Sequence, residues 1–304
     1  MIDYLWHKFN PNHFRLIMTI LVKNEADIIE ANIRTHSRLG VDAFVVMDND
    51  STDGTRDILE KLSKEFELII LDEKGKYNQA KWMTKLAKIA KKRLKADWVI
   101  SNDADEFWIS KNGANLKETL AFKGSVLTVQ RYNMLLDEKC IESGNFLNAK
   151  YYVANPIFYS KQTQIDNEKI SIVLGKIGPK TIVNPHGLIY IRGGNHKALH
   201  FANMRDYFKS GFDKIKRFDA IEVFHYPIRS YEQFEKNIQN RKVLLESGKK
   251  VSMGPHYKRW VKLYNDGKLK EEFEKNVVFH QHEIDVLSKY GVVRYDEKIK
   301  KGIV

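Results

Sequence analysis

The chain has 304 residues, of which 43% are hydrophobic, and it carries a formal net charge of +12 at pH 7. This hydrophobic content excludes a disordered chain, and the length allows one substantial core with an appended subdomain. A single cysteine, Cys140, excludes an intramolecular disulfide and indicates a reducing compartment.

Apolar runs and helix-like segments alternate four times in the first third of the chain. Continuous apolar runs are typical of strands that are covered on both faces. Asn24 is expected to cap the first helix, and Asp53 is expected either to cap the second helix or to bind a ligand. The strands are predicted over residues 16–22, 43–47, 68–71 and 98–100, with helices over about 25–39, through 58–62, and over 78–94. This order predicts an α/β fold with a mainly parallel sheet and helices on both faces.

Three carboxylates follow the fourth predicted strand directly, at Asp103, Asp105 and Glu106. Ionised carboxylates are costly to crowd or bury without a cation. Asp103 and Asp105 are two residues apart, so in extended chain they point the same way. Their oxygens suit a hard cation such as Mg²⁺ or Mn²⁺. A solvated acidic turn is the alternative, but the position after a strand favours a metal site.

Two further polar clusters follow predicted strands, at residues 23–25 and 48–54. Ligands of parallel α/β sheets bind outside the carboxyl ends of the strands. All three clusters lie at such ends. The sequence therefore predicts one ligand-binding edge of the sheet.

Four stretches resemble the family 2 glycosyltransferases, most closely their bacterial subgroup with a D-x-D-E-F element. The stretches are Val22–Asp27, Asp48–Thr55, Asp103–Phe107 and His225–Phe234. The resemblance covers about residues 14–245 and implies a GT-A fold, a nucleotide-sugar donor, a divalent cation and inversion at the anomeric carbon. We expect a catalytic domain over residues 1–230 and a helical extension packed on it over residues 231–304.

The resemblance also suggests roles for the residues of these stretches. Asp105 is expected to be the main ligand of Mn²⁺ or Mg²⁺, and Asp103 either a second ligand or a contact of the donor ribose or sugar. Glu106 is expected to support the metal site or to orient the donor. The donor pocket is predicted to contain Asn24, Glu25, Asp48, Asn49, Ser51, Asp53, Gln79 and Lys81, although a plain surface helix also explains the last two.

A late histidine is expected to be a further metal ligand, because neutral imidazole ligates metals well. His225 is preferred over His196, since its flanking sequence matches the family better; a structural role is the alternative for both. The catalytic base is harder to find, because the chain lacks the acidic pair that many family members carry. Asp137 is the candidate base, with the neighbouring Glu138 and the distant Glu222 as alternatives, and an ordinary surface charge is the other interpretation of each.

Five lysines recur at helical spacing and form one stripe: Lys81, Lys85, Lys88, Lys92 and Lys95. The stripe is expected to be either a solvated helix face or a surface that attracts an anionic membrane. The acceptor is expected to be a saccharide or lipid-linked glycan of bacterial surface polysaccharide or lipopolysaccharide synthesis, with a UDP-linked donor. No run is long enough to span a bilayer, and residues 1–12 lack a signal-peptide core, so we expect a cytoplasmic protein, possibly peripheral at the inner face of the membrane.

Two other function classes stay open. A nucleotidyltransferase also uses parallel sheets and paired carboxylates, but it usually has a glycine- and arginine-rich loop where this chain has residues 22–25. A basic protein that binds nucleic acid fits the net charge. However, no recognised nucleic-acid motif appears, so no nucleic-acid partner is expected.

Overall fold

The computed structural model describes residues 14–74, 78–120, 125–157, 171–203, 216–246 and 254–297. The chain forms two compact units. The first contains the described residues up to 131 together with 178–224, and the second contains those of 132–177 and those from 225 to 297. Residues 1–12, which were predicted to lack a signal-peptide core, lie outside the described residues.

The strands and helices have the following bounds. The strands are β1 Leu16–Val22, β2 Ala43–Asp48, β3 Leu68–Asp72, β4 Trp98–Asp103, β5 Glu106–Ser110, β6 Val126–Val129, β7 Arg131–Asn133, β8 Leu136–Asp137, β9 Tyr151–Val153, β10 Lys180–Val183, β11 Leu188–Ile191, β12 Ala198–His200, β13 Lys216–Arg217, β14 Ile221–His225, β15 Val278–Phe279 and β16 Val293–Tyr295. The α-helices are α1 Ile29–Arg38, α2 Thr55–Leu62, α3 Gln79–Leu94, α4 Leu116–Thr119, α5 Glu138–Glu142, α6 Tyr231–Glu246, α7 Pro255–Asn265, α8 Leu269–Asn276 and α9 Gln281–Lys289.

The first unit is built on a seven-stranded sheet in the order β13-β6-β10-β4-β1-β2-β3. The strands β1 to β4 pair in parallel, whereas β10 runs antiparallel to both β4 and β6. Every residue of β2 is buried, as expected of a strand covered on both faces. The predicted α/β fold with a mainly parallel sheet and flanking helices is confirmed.

Helix α3 covers one face of this sheet. Its buried side includes Met83, Leu86 and Ala87, which belong to one apolar core cluster with Ile17 of β1 and Val45 of β2. The Asn78 side chain accepts the amide hydrogen of Lys81 and caps the helix. This fixes the start of α3 close to the edge where β1, β2 and β4 end.

Two predicted helix starts are wrong. Helix α1 begins at Ile29, and Asn24 has a φ of 58°, so it precedes the helix and does not cap it. Helix α2 is capped by Gly54, which has a φ of 94°, and not by Asp53. Glycine adopts this left-handed conformation without steric cost. Because Gly54 occupies the cap position, the Asp53 side chain makes other contacts.

The second unit is mainly helical in its C-terminal part. Helices α6 to α9 lie within the predicted helical extension over residues 231–304. Phe234 of α6 contacts Trp260 of α7 and Phe273 of α8, with ring centroids 4.8 and 5.8 Å apart. The unit also includes residues 132–177, so its limits differ from the predicted boundary at residue 230. The division into a catalytic domain and an extension stays a prediction.

Candidate active site

The ends of β2 and β4 flank the end of β1. In the register of the sheet, Val22 pairs with Asp48 of β2, and Leu21 pairs with Asp103 of β4. Neighbouring strands lie about 4.8 Å apart, which separates the backbones of Asp48 and Asp103 by about 10 Å. The carboxyl ends of these strands therefore share one edge of the sheet, with carboxylates on both sides of its central strand; ligand binding at this edge stays a prediction.

The loop after β1 and the loop after β2 are joined by hydrogen bonds. The amide of Asn24 donates to the Ser51 hydroxyl over 2.9 Å, and the Asn24 side-chain oxygen accepts from the amide of Thr52 over 2.8 Å. The buried Asp48 carboxylate accepts from the amide of Ser51 over 3.0 Å, and the amide of Asn49 donates to the Val22 carbonyl. Asn24 thus fastens the two loops together, which explains its left-handed backbone.

Asp53 is a second tie between these loops. Its carboxylate accepts from the amide of Ala26 over 3.1 Å and from the hydroxyl of Thr55 over 2.6 Å. The Thr55 hydroxyl in turn accepts the amide hydrogen of Glu25 over 2.8 Å. Partial burial raises the pKa of the Asp53 carboxyl, but these hydrogen bonds outweigh burial and leave the pKa lowered. The carboxylate form is therefore the form that holds the loops.

Asp103 is held through both oxygens of its carboxylate. One of its oxygens forms an ion pair with the Lys180 ammonium, which is fully buried. The other accepts from the side-chain amides of Asn195, over 3.0 Å, and Gln79, over 3.3 Å. Gln79 also accepts the amide hydrogen of Gly194 over 2.7 Å. Of the two predicted residues on α3, Gln79 joins the site, whereas the Lys81 side chain is exposed.

Glu106 is fully buried and lies between two cations. Its Oε1 is 2.6 Å from the Arg131 guanidinium and 3.0 Å from the Lys180 ammonium. Lys180 therefore serves both Glu106 and Asp103. Two cations and two carboxylates form this group, in which the charges balance; Lys180 and Glu106 are fully buried, whereas the Asp103 side chain is 29% exposed.

The turn that carries Asp105 rests on a buried polar network. The side-chain amide of Asn32 donates to the carbonyls of Ala104 and Glu106, over 2.8 Å each. The Nε2 of His36 accepts the amide hydrogen of Trp108, so its Nδ1 carries the proton and donates to Asn32. Burial lowers the pKa of His36 to about 3, which keeps this ring neutral. The His36 ring is thus fully buried and supports the acidic turn.

The residues of the acidic turn fit the divalent cation that the resemblance implies. Mg²⁺ is commonly held by one or two carboxylates together with substrate phosphates. Asp105 offers a half-buried carboxylate on the turn between β4 and β5. Asp103 and Glu106 already face Lys180. Which of Asp105 and Asp103 is the main ligand stays a prediction.

The two late histidines lie in different units. In the first unit, the Nδ1 of His196 is 2.7 Å from the carbonyl of Pro179. Burial and the positive charges of Lys180 and Arg131 lower the pKa of His196 to about 4. In the second unit, His225 ends β14, and its Nδ1 is 2.8 Å from the side-chain oxygen of Asn133. Metal ligation by either histidine stays a prediction.

Asp137 belongs to the second unit and caps helix α5. Its carboxylate is 7% exposed and accepts the amide hydrogen of Cys140 over 2.9 Å. Burial, with Asp137 nearby, raises the pKa of the Cys140 thiol to about 12. This environment weakens the case for Asp137 as a catalytic base, a role that stays a prediction.

Sequence reasoning missed Lys180, Arg131 and Asn195. Lysine is rarely buried without a charged partner, and these residues lie far from Asp103 along the chain. One signal was present. Lys180 precedes the apolar pair Ile182 and Val183 in a short strand, and a lysine at such a position is a candidate for a buried ion pair.

A comparison with protein families now assigns the chain. The model described as "Glycosyl transferase family 2" matches residues 18–176. The chain belongs to glycosyl transferase family 2. The matched residues include the loops after β1 and β2 and the whole acidic turn. This family 2 protein is therefore a glycosyltransferase, and membership favours glycosyl transfer over both alternative function classes.

Solved structures include similar chains. The structure of S. aureus TarS 1-349 in complex with UDP-GlcNAc is 13% identical, with 86% of this chain and 72% of that chain covered and a TM-score of 0.45. Its complex with UDP is 15% identical, with 86% and 71% covered and a TM-score of 0.41. Glucosyl-3-phosphoglycerate synthase from Mycobacterium tuberculosis, in complex with Mn²⁺, UDP and glucosyl-3-phosphoglycerate, is 17% identical, with 76% and 78% covered and a TM-score of 0.38. A comparison with curated proteins finds no match. The family assignment thus rests on the family model.

None of the helices in the described part of the chain is both long and apolar enough to cross a bilayer.

Proposed function

We propose that this family 2 glycosyltransferase takes its sugar from a nucleotide-sugar donor bound across the carboxyl ends of β2, β1 and β4. One observation carries the proposal. The register of the sheet sets Asp48 and Asp103 on opposite sides of β1, about 10 Å apart. That distance suits a ligand with a nucleoside at one end and a diphosphate at the other.

The two joined loops are the proposed nucleoside site. Asp48 and Glu25 offer carboxylates to the base and ribose, and Asn49 and Ser51 add neutral hydrogen-bonding groups. The ties made by Asn24 and Asp53 hold the loops in place before the donor arrives. A preformed site of this kind reduces the ordering cost of binding.

The acidic turn is the proposed diphosphate end. Asp105 would hold Mg²⁺ or Mn²⁺ together with donor phosphate oxygens, and a bound cation offsets the charge that develops on a diphosphate leaving group. Asp103 contacts the donor ribose or sugar, or serves as a further ligand. Lys180 and Arg131 hold Asp103 and Glu106 in position. His225 and His196 stay alternatives for a late metal ligand.

The finer assignments follow what the family implies. We propose a UDP-linked donor, a saccharide or lipid-linked glycan acceptor, and inversion at the anomeric carbon. A role in bacterial surface polysaccharide or lipopolysaccharide synthesis, at the cytoplasmic side of the membrane, is part of the same proposal. The stereochemistry is read directly from the anomeric coupling constant of the product in NMR.

The test of the donor site compares two isosteric substitutions. Asp105→Asn keeps the side-chain size and removes the charge that the cation needs. Asp57→Asn makes the same change at an exposed position of α2. We expect Asp105→Asn to abolish Mn²⁺-dependent hydrolysis of UDP-sugars and Mn²⁺-dependent UDP binding, whereas Asp57→Asn retains both.

Unchanged Mn²⁺-dependent hydrolysis in a folded Asp105→Asn protein would remove the metal assignment. Donor binding without hydrolysis or transfer, across a panel of nucleotide sugars, would instead point to a binding module.

A further inference from the structure

The second unit contains a cavity of about 230 Å³, and its lining includes His225, one of the two candidate late metal ligands. Helices α6 and α7 form part of its wall, together with the stretch that follows β14 and the segment around residues 172–177. All of its lining residues belong to the second unit. The volume is enough for one small ligand and is below that of a pocket for a drug-sized molecule.

Two buried polar atoms of this wall lack hydrogen-bond partners among the described residues. They are the side-chain oxygen of Asn237, on α6, and the Nδ1 of His256, on α7. A buried polar atom without a partner costs free energy comparable to a lost hydrogen bond. Two such atoms in one cavity wall therefore indicate a ligand, or ordered water, that supplies the missing bonds.

His256 faces the cavity as a neutral ring. Burial and, to a lesser extent, the charge of Arg241 lower its pKa to about 4. A neutral imidazole nitrogen either accepts or donates a hydrogen bond, whereas the Asn237 oxygen only accepts. A hydroxyl group satisfies both, because it donates and accepts.

The rest of the wall is largely aromatic and aliphatic. Tyr257 and Trp260 line the cavity beside Phe234, and the His256 ring lies 5.1 Å from that of Trp260. None of the described lining residues is a carboxylate, and the charged group among them is Lys176. Apolar walls with a few placed polar groups are typical of small-ligand sites.

We propose that this cavity binds one sugar residue of the glycan acceptor. The proposal rests on the proposed glycosyltransferase function and adds an acceptor subsite to it. The hydroxyls of the sugar pair with Asn237 and His256, while the apolar face of the sugar ring packs against the aromatic wall. A hydroxyl-rich ring meets both requirements of the wall, whereas a purely apolar ligand leaves the two polar atoms unpaired.

The test uses methyl glycosides as probes and saturation-transfer NMR as the readout. Methyl glucoside and methyl N-acetylglucosaminide are the neutral arms, methyl glucuronide is the anionic arm, and tetrahydropyran is a ring of the same kind without hydroxyls. Asn237→Leu removes the polar atom at similar volume, and His256→Phe keeps the ring without its nitrogens. Asn240→Leu makes the first change at an exposed position of the same helix.

We expect at least one glycoside to bind the parent protein and the Asn240→Leu variant equally. In Asn237→Leu and His256→Phe its Kd should rise about tenfold, the effect of one lost buried hydrogen bond. Tetrahydropyran should show no saturation transfer. Stronger binding of the glucuronide than of the neutral sugars would indicate that Lys176 pairs with an acidic sugar. Stronger binding of the neutral sugars would indicate that the subsite takes a neutral sugar. Either result supports the subsite.

Saturation transfer that is absent in the parent, or unchanged in both cavity variants, would overturn the subsite. Equal binding of tetrahydropyran and the glycosides would also overturn it, because the cavity would then be a purely apolar site. Calorimetry of UDP with Mn²⁺ on the same samples separates the two proposals. UDP binding without glycoside binding would contradict the subsite but not the proposed function. Glycoside binding without UDP binding would support a saccharide site but contradict the donor assignment.

Discussion

The Nζ of Lys180 lies 3.0 Å from the Oε1 of Glu106, and both side chains are fully buried. The same ammonium pairs with Asp103, and the Arg131 guanidinium contacts the same Oε1 of Glu106. Removing a charge from water is costly, so each member of this group depends on the others. Lys180 thereby connects strand β10 of the sheet to the acidic turn.

Replacing Lys180 by methionine should destabilise the protein strongly. The substitution retains the side-chain length but leaves Asp103 and Glu106 without their shared counter-ion. We expect the free energy of unfolding to fall by about 3 kcal/mol, as for other buried pairs that lose one partner. Urea denaturation measures the change.

Lys111→Met is the matched control. Lys111 also pairs with a glutamate, Glu222, at 3.4 Å, but its side chain is 49% exposed. Exposed pairs contribute little, so the loss should stay within about 1 kcal/mol. Equal losses in the two variants would show that the buried group has no special role.

The pH dependence of stability should report the buried His36. Its pKa falls from the usual 6.5 to about 3 on folding. Below pH 6.5 the unfolded chain therefore binds a proton that the folded protein does not, and stability is lost as the pH falls toward 3. Replacing His36 by glutamine should reduce the slope of unfolding free energy between pH 6 and pH 4 by about 1.4 kcal/mol per pH unit.

His280→Gln is a control with the opposite sign. Glu138 raises the pKa of His280, so the stabilisation from this pair is present at low pH and is lost as the pH rises through the folded pKa. The difference between the parent and this variant should therefore shrink with rising pH. A His36→Gln protein with the parental slope would contradict the neutral, buried state of His36.

The central fold was predictable because three of the first four strands, β1, β2 and β4, are almost fully buried on both faces. Their continuous apolar runs, such as Leu16–Val22, differ clearly from the periodic pattern of α3. The insertion of β10 between β4 and β6 was not predictable. Strands of four residues, such as Lys180–Val183, carry little periodic signal, and no local pattern specifies a partner far along the chain.

The strand-end carboxylates were predictable for a different reason. Parallel strands end at a common edge, so Asp48 and Asp103 had to lie near each other once the sheet was inferred. Their partners were not predictable, because Lys180 is separated from Asp103 by 77 positions. Asn24 was also not predictable from sequence. An asparagine can cap a helix or connect two loops by hydrogen bonds, and only its left-handed backbone conformation in the structure shows that it does the second.

The nucleoside site should prefer UDP to ADP in the presence of Mn²⁺. The family most often uses UDP-sugars, and the Asp48 carboxylate at the end of β2 can accept a hydrogen bond from the N3–H of uracil. We expect a ratio of about ten in Kd by calorimetry, the effect of one well-placed hydrogen bond. Asp48→Asn should reduce this ratio, while Asp57→Asn leaves it unchanged. Equal or reversed affinities in the parent would count against the uridine assignment.

Four lysines of the predicted stripe form an exposed face of α3, opposite the buried residues Met83 and Leu86, and the fifth, Lys95, follows the end of the helix. Lys85 approaches Glu73 at 4.0 Å. A solvated face and a membrane-attracting face have this same structure. The members of the stripe are Lys81, Lys85, Lys88, Lys92 and Lys95.

Reversing charge on this face tests the membrane contact. The triple change of Lys85, Lys88 and Lys92 to Glu should weaken co-sedimentation with anionic vesicles, while Lys81 is left intact as a predicted donor-site residue. A control with the same charge change replaces three exposed lysines of the second unit, Lys262, Lys270 and Lys275. Because the attraction acts over a Debye length of about 10 Å at 0.1 M salt, added salt should remove it. Vesicle binding that is absent in the parent at low salt, or reduced equally by both triple variants, would leave the stripe as a solvated helix face.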